Sequence, residues 1–369
     1  MIGPLPAMLA LVAGLFSVAV LGASGWIAWE WWSGDLRDDR WLWLAGALLA
    51  FAALGRLPIL LFFHKRGEAV KPVGKGQRLD LASPDGSRLH VEAHGPSDAP
   101  PIILTHGWGL NSRVWGRAVA ALSKSYRVIV WDLPGCGRSE PPKDGRYSLE
   151  VFAAALATVI PAAGGRPVML AGHSIGGMTL LTLCRSHPAL VDAQIAGLAF
   201  VNTTYTDPTH TAWGRKLWTP LERPVIAPLS RLTIWLSPLF RIMNLLSYAN
   251  GSAHVATRVG GFASNDREAI DLTARIIATT SPAVQAKGNL AMLRWDATDV
   301  LDGGRDVPTM VLSGREDILT LPEAGKVIAD HVAEQPAEVV PRAGHMGFME
   351  QSLTYNALLE SFAGRVLAA

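Results

Sequence analysis

Residues 168–181 read VMLAGHSIGGMTLL. An apolar run enters Gly172, Ser174 is boxed between glycines, and a second apolar run follows. A strand turning sharply into a helix fits this order. Gly172 and Gly176 would remove side chains that collide, and the Ser174 hydroxyl would stand at the apex of a strained turn. An ordinary glycine-rich turn that contains a serine fits the same five residues. The two readings part on whether the chain also supplies the partners that a serine nucleophile needs.

Outward from this stretch, short apolar runs alternate with helical windows. QRLDLA and SRLHVEAHG flank the turn Pro84-Asp85-Gly86 and read as a hairpin. PIILTHG (101–107), YRVIVWDLPG (126–135), PVMLAGHS (167–174), AGLAFVNTT (196–204), PTMVLSGRED (308–317) and AEVVPRAGH (337–345) follow. Continuous runs such as Ile102-Ile103-Leu104 suit strands buried on both faces of a parallel sheet. Helical windows fall at Ser148–Pro161, Ile175–His187, Leu321–His331 and Gln351–Ala369, and the alternation predicts a doubly wound α/β fold. From Tyr205 to Asp302 the alternation stops. That segment carries apolar and aromatic material without a clear strand, and it reads as a helical cap over the carboxyl edge of the sheet.

A serine hydroxyl is a weak nucleophile until a base takes its proton, and a carboxylate best fixes the tautomer of that base. The elbow therefore predicts an acid and then a histidine, in that order. Asp317 follows the run TMVLSG, and His345 follows AEVVP between Gly344 and Gly347. Both stand where strand ends open into a site. Glu316 and Asp207 are rivals for the acid. The oxyanion of a tetrahedral intermediate needs two donors, for which the backbone N–H groups of Ile175 and Trp108 are the candidates. His106 and His173 read as structural histidines beside the loop and the elbow.

Taken together, HGWG (106–109), DLPGCGRS (132–139), GHSIGG (172–177), GREDILT (314–320) and GHMGFME (344–350) make the chain from about Gln77 to Ala369 resemble the α/β-hydrolases of esterase/lipase type. The resemblance implies a mostly parallel sheet of about eight strands, a cap inserted after the sixth, a Ser174-Asp317-His345 triad, and neither metal nor organic cofactor. Serine at the elbow, rather than the aspartate of relatives that open epoxides or remove halide, argues for acyl transfer to Ser174. Acyltransferases, thioesterases, perhydrolases and carbon–carbon hydrolases share that serine and remain open. A non-catalytic scaffold would lack a triad member, and none is missing.

The remaining sequence points to a membrane. Apolar residues make up 49% and charged residues 17%, and mean hydropathy is +0.23. The excess lies at the N-terminus. Ala7–Trp29 carries no charge, and Trp41–Phe63 carries only Arg56, placed near enough to its end to snorkel. Trp26, Trp29, Trp31, Trp32, Trp41 and Trp43 gather about the connecting loop as an interfacial belt would. No Lys or Arg precedes the first run and a second follows at once, which fits a cleaved signal peptide poorly. A buried helical hairpin is the soluble alternative.

The expectation is therefore a two-helix anchor over 1–70, a hydrolase core over 71–204 and 303–369, and a cap over 205–302. Lys65, Arg66, Lys71, Lys75 and Arg78 follow the second run, while Arg37 and Arg40 lie in the loop. The positive-inside rule then puts the catalytic part in the cytoplasm. The expected partners are a lipophilic ester and the bilayer. A net charge of +2 without a basic, aromatic-interleaved stripe speaks against nucleic acid. Cys136 and Cys184 form no metal-binding or disulfide pattern and read as reduced structural thiols.

Overall fold

The computed structural model describes residues 4–63, 76–303 and 306–368. Eight strands form one sheet: β1 (Gln77–Ala82), β2 (Arg88–His94), β3 (Pro101–Thr105), β4 (Arg127–Trp131), β5 (Val168–His173), β6 (Ile195–Val201), β7 (Thr309–Gly314) and β8 (Glu338–Val340). Their spatial order is β1-β2-β4-β3-β5-β6-β7-β8. The first two pairings, β1 with β2 and β2 with β4, are antiparallel, and every later pair is parallel.

Period-two alternation sorts the strand residues between two cores. Ile103, Ile129, Leu170 and Phe200 pack with the helices Leu149–Val159 and Ile175–Ser186 on one face. Leu104, Val130, Ala171 and Val201 pack with the helices Gly116–Leu122 and Ser352–Val366 on the other. Burial on both sides is why these strands read as unbroken apolar runs.

Between β6 and β7 the chain is helical, with main helices at Ala227–Trp235, Ser237–Asn250, Ser252–Gly261, Arg267–Thr279 and Pro282–Met292. These helices form the cap. A buried ion pair joins it to the core: Arg117 Nη1 lies 2.7 Å from Asp266 Oδ2.

The N-terminal segment differs from the expectation of two spans. Helix α1 (Pro4–Ser33) runs 30 residues, about 45 Å at 1.5 Å per residue, and is long and apolar enough to cross a membrane. The second apolar run is not one helix. It divides at Gly55 into α2 (Asp39–Leu54) and α3 (Arg56–Leu61). Pro58 has no N–H for the carbonyl of Leu54, and its ring would collide with that group, so the α-helical ladder stops there. Gly55 also lies against the cap, where a Cβ would stand 2.7 Å from the carbonyl oxygen of Asn250. Arg56 does not snorkel away from the protein, because its guanidinium sits 5.1 Å from the centre of the Tyr248 ring in the cap. Lys65, Arg66, Lys71 and Lys75, on which the orientation argument leaned, lie outside the described residues.

Helix α1 packs its N-terminal half on the cap. Asn250 Nδ2 donates to Ser17 Oγ at 2.8 Å, Ser17 and Ser252 hydroxyls lie 3.2 Å apart, and Gly14 gives room to Met243. Ser24 Oγ donates to the Ala45 carbonyl and ties α1 to α2. The opposite surfaces stay bare: Val12, Leu15, Trp29 and Trp43 on the hairpin, and Leu232, Trp235, Leu239 and Ile242 on the cap, are exposed.

Candidate active site

Ser174 follows β5 with φ 57° and ψ −122°, a backbone conformation that costs on the order of 1–3 kcal/mol for a residue with a Cβ. Its surroundings hold it there. Ser174 N donates to the Val201 carbonyl at 3.0 Å, and the Ser174 carbonyl accepts from Thr203 Oγ1 at 2.6 Å and from Gly177 N at 2.9 Å. The flanking glycines are required by contact. A Cβ on Gly172 would lie 2.5 Å from the backbone of Gly176, and one on Gly176 would lie 2.5 Å from the carbonyl oxygen of Thr105.

The structure brings the three expected side chains into line. Ser174 Oγ is 3.0 Å from His345 Nε2, and His345 Nδ1 is 2.9 Å from Asp317 Oδ2. An ionised carboxylate only accepts, so Nδ1 carries the proton and Nε2 faces the hydroxyl as the acceptor. Burial pushes the Asp317 carboxyl up. The facing His345 and the bonds from Thr320 outweigh that and leave it below its ordinary value. Such a line can take the proton of Ser174 as its oxygen attacks and hand it to a leaving group.

Asp317 has further donors that sequence reasoning did not find. Oδ1 accepts from Leu319 N and Thr320 N at 2.8 and 2.9 Å, and Oδ2 accepts from Thr320 Oγ1 at 2.7 Å and Asn202 Nδ2 at 3.1 Å. Asn202, at φ 46° just past β6, also donates to the Gly344 carbonyl and accepts from Tyr355 at 2.9 Å. The acid, the loop of the base and the last helix are thus joined through one amide. The positive φ of Asn202 after a strand is visible only in the backbone.

The rivals are elsewhere. Glu316 Oε2 accepts from Ala343 N at 2.9 Å, and Asp207 Oδ1 caps the short helix Pro208–Thr211. Burial, with Glu222 nearby, pushes the Asp207 carboxyl up to about 6.

His106 and His173 take structural places. His106 Nε2 accepts from Leu133 N at 2.9 Å while its Nδ1 lies 2.7 Å from the Gly107 carbonyl. Burial holds His173 well below the usual histidine range, so it is neutral, and its Nε2 donates to the His345 carbonyl at 2.9 Å. Cys136 and Cys184 are buried, and burial pushes the Cys136 thiol up to about 12, which leaves it protonated and inert.

Ile175 opens the helix Ile175–Ser186, whose first N–H groups point toward the elbow end. Trp108 lies in the loop after β3, which packs against Gly176 through the carbonyls of Thr105 and His106. Its indole is buried between Phe152 and Gly288, where a Cβ would stand 2.0 Å from the ring. Ser174 and His345 are each only 1% exposed, so the site is closed to solvent.

Comparison with known proteins agrees with this architecture. A family model described as alpha/beta hydrolase fold matches residues 100–352. The chain is 26% identical over 281 residues to "Putative carbamate hydrolase RutD" of Variovorax paradoxus, covering 76% of this chain and 97% of that one. It is also 26% identical over 278 residues to the pimeloyl-acyl-carrier-protein methyl ester esterase of Aeromonas hydrophila, covering 75% and 99%. Among solved structures, a membrane phospholipase A described as a bacterial virulence factor superposes with a TM-score of 0.63 at 20% identity, covering 88% of this chain and 95% of that one. At that identity the likeness is one of fold. The relatives support a hydrolase, and the chain belongs to the alpha/beta hydrolase fold family.

Proposed function

We propose that this protein is a membrane-anchored serine hydrolase that cleaves carboxylic esters of lipophilic molecules. The observation that carries the reading is the buried, hydrogen-bonded line Ser174–His345–Asp317 at 3.0 and 2.9 Å. Ser174 Oγ attacks the ester carbonyl carbon as His345 Nε2 takes its proton, and the Ile175 and Trp108 N–H groups bind the oxyanion. The intermediate collapses, the alcohol leaves with the proton from His345, and the acyl group stays on Ser174. Water then attacks the acyl-enzyme with His345 again as base and releases the acid.

Two features favour a lipophilic substrate. The hairpin and the cap segment Leu232–Tyr248 both carry exposed apolar side chains, and α1 is packed on the cap. A cavity of about 70 Å³ lies between α1 and the cap, lined by Ala7, Ala10, Ala13, Asn244, Ile277 and Gln285. Gln285 also touches Trp108, so this cavity borders the segment that leads to the loop after β3.

A fluorophosphonate probe tests the chemistry. The wild type should label covalently, and Ser174→Ala should fold normally, take no label and lose several orders of magnitude in rate. Undiminished labelling of Ser174→Ala would remove the nucleophile assignment. A panel of esters, thioesters and carbamates then separates ester hydrolysis from the other acyl chemistries. For the anchor, a chain beginning at residue 71 is expected to keep activity on short soluble esters and lose most of it on long-chain esters in vesicles. Equal vesicle activity would mean that the N-terminal helices set location alone. Protease digestion in sealed inverted vesicles tests the cytoplasmic orientation, which protection of the catalytic part would reverse.

A further inference from the structure

A second polar cluster stands where the chain leaves β6 for the cap. Asp207, 4% exposed, caps Pro208–Thr211 with Oδ1, which accepts from Thr209 N at 2.8 Å. Its other oxygen, Oδ2, is buried without a hydrogen-bond partner. His210 and Glu222 lie beside it, with His210 Nε2 3.1 Å from Glu222 Oε1. Ligand atoms of all three residues fall within 4.8 Å of one another. Glu222 Oε1 also accepts from Thr209 Oγ1, which holds it over the same turn.

A buried carboxylate oxygen left unpaired next to a second carboxylate is costly, and a cation removes both costs together. One imidazole nitrogen and two carboxylate oxygens form a donor set for Zn²⁺ or a similar first-row ion, at about 2.0–2.2 Å, with a fourth position for water. Ligand atoms about a tetrahedral ion stand about 3.3 Å apart at those bond lengths. The His210–Glu222 separation of 3.1 Å already matches, and an Asp207 oxygen lies within 4.8 Å of both. His210 is partly exposed and gives an ion a way in.

We propose that Asp207, His210 and Glu222 bind a divalent transition-metal ion that clamps the root of the cap. The clamp would act next to the active site without touching substrate. Leu321 N donates to the Thr211 carbonyl at 3.1 Å and Trp213 N to the Ile318 carbonyl at 2.9 Å, so the same short helix is bonded to the loop that carries Asp317. A metal here departs from the sequence expectation of none. Its three ligands come from an ordinary-looking turn and a residue twelve positions further on, with no cysteine to mark them.

Zinc uptake by the tag-free, full-length protein in detergent tests the site. After stripping with EDTA and desalting, wild type given Zn²⁺ should retain about one ion per chain by elemental analysis and melt at a higher temperature. His210→Ala, at a half-exposed position that tolerates truncation, should weaken zinc retention at least tenfold and abolish the thermal shift, and Glu222→Gln should do the same. His331→Ala, on a distant exposed helix end, should leave zinc retention intact. Failure of the wild type to retain zinc, or equal retention by wild type and His210→Ala, overturns the proposal. Neither outcome bears on Ser174, whose labelling is read separately.

Discussion

The indole N–H of Trp108 donates to the carbonyl of Gln285 across 2.9 Å and fastens the loop after β3 to the cap helix Pro282–Met292. The fit leaves no room, since the ring lies where a Cβ of Gly288 would be. Whatever moves that helix therefore pulls on the loop that would supply half of the oxyanion site.

Gly288→Ala is accordingly expected to do more than an exposed helical substitution would. Overpacking at such a contact costs about 1–3 kcal/mol. Because the displaced ring carries the Trp108 backbone with it, kcat should fall as well as melting temperature. A variant with wild-type kcat and a lowered melting temperature would separate the ring from the oxyanion loop.

Asp317→Asn should reduce kcat by about 10⁴-fold with the fold intact, because the amide favours the wrong imidazole tautomer. Glu316→Gln, whose carboxylate binds only a neighbouring backbone N–H in the observed bonds, should cost far less. Thr320→Val removes one donor to the acid and should fall between the two. Steady-state kinetics on a soluble ester gives the ranking, and a larger loss in Glu316→Gln would reassign the acid.

The same carboxyl has a signature in pH. Its folded pKa lies below the ordinary 3.8, so the folded state binds that proton less readily than the unfolded chain. Its stabilising contribution is complete above about 3.8 and is lost as pH falls through the lower, folded value. The gap in unfolding free energy between wild type and Asp317→Asn should be flat at neutral pH and narrow below that point. Denaturant unfolding at a series of pH values measures it, and a gap constant through pH 3 would contradict the depressed value.

Asp266 has two tasks, pairing with Arg117 at 2.7 Å and capping the helix Arg267–Thr279 through Ala269 N at 3.1 Å. Asp266→Ala removes the carboxylate that faces a buried guanidinium and should cost about 3–5 kcal/mol. The double variant Arg117→Met with Asp266→Leu should recover much of this, since the desolvation cost disappears along with the pair. Thermal unfolding of the three proteins is the measurement. Equal losses in single and double variants would mean that the cap draws little on this contact.

Much of the fold could be read from the sequence because buried parallel strands declare themselves as apolar runs, and Ser174, Asp317 and His345 each follow one. The side chains that hold the acid could not. Asn202 and Tyr355 act through tertiary contacts, with Tyr355 153 positions from the amide that it bonds, and Thr320 acts through a turn whose geometry only the backbone shows. At the N-terminus hydropathy alone misled. Trp41–Phe63 is apolar throughout apart from Arg56, yet Pro58 interrupts its backbone ladder, and Gly55 and Arg56 are shaped to meet the cap.

The polar contact between α1 and the cap bears on the order of synthesis. Ser17 leaves the ribosome 233 residues before Asn250, an interval of roughly 10–50 s at ordinary elongation rates. Through that interval its hydroxyl proton needs an acceptor, and it has one in its own helix, since Ser17 Oγ donates to the Ala13 carbonyl at 2.6 Å. The helix can therefore wait in an apolar setting with the Ser17 hydroxyl satisfied. When the cap arrives, Asn250 donates to the same oxygen without displacing that bond, so docking adds a contact to a helix already formed.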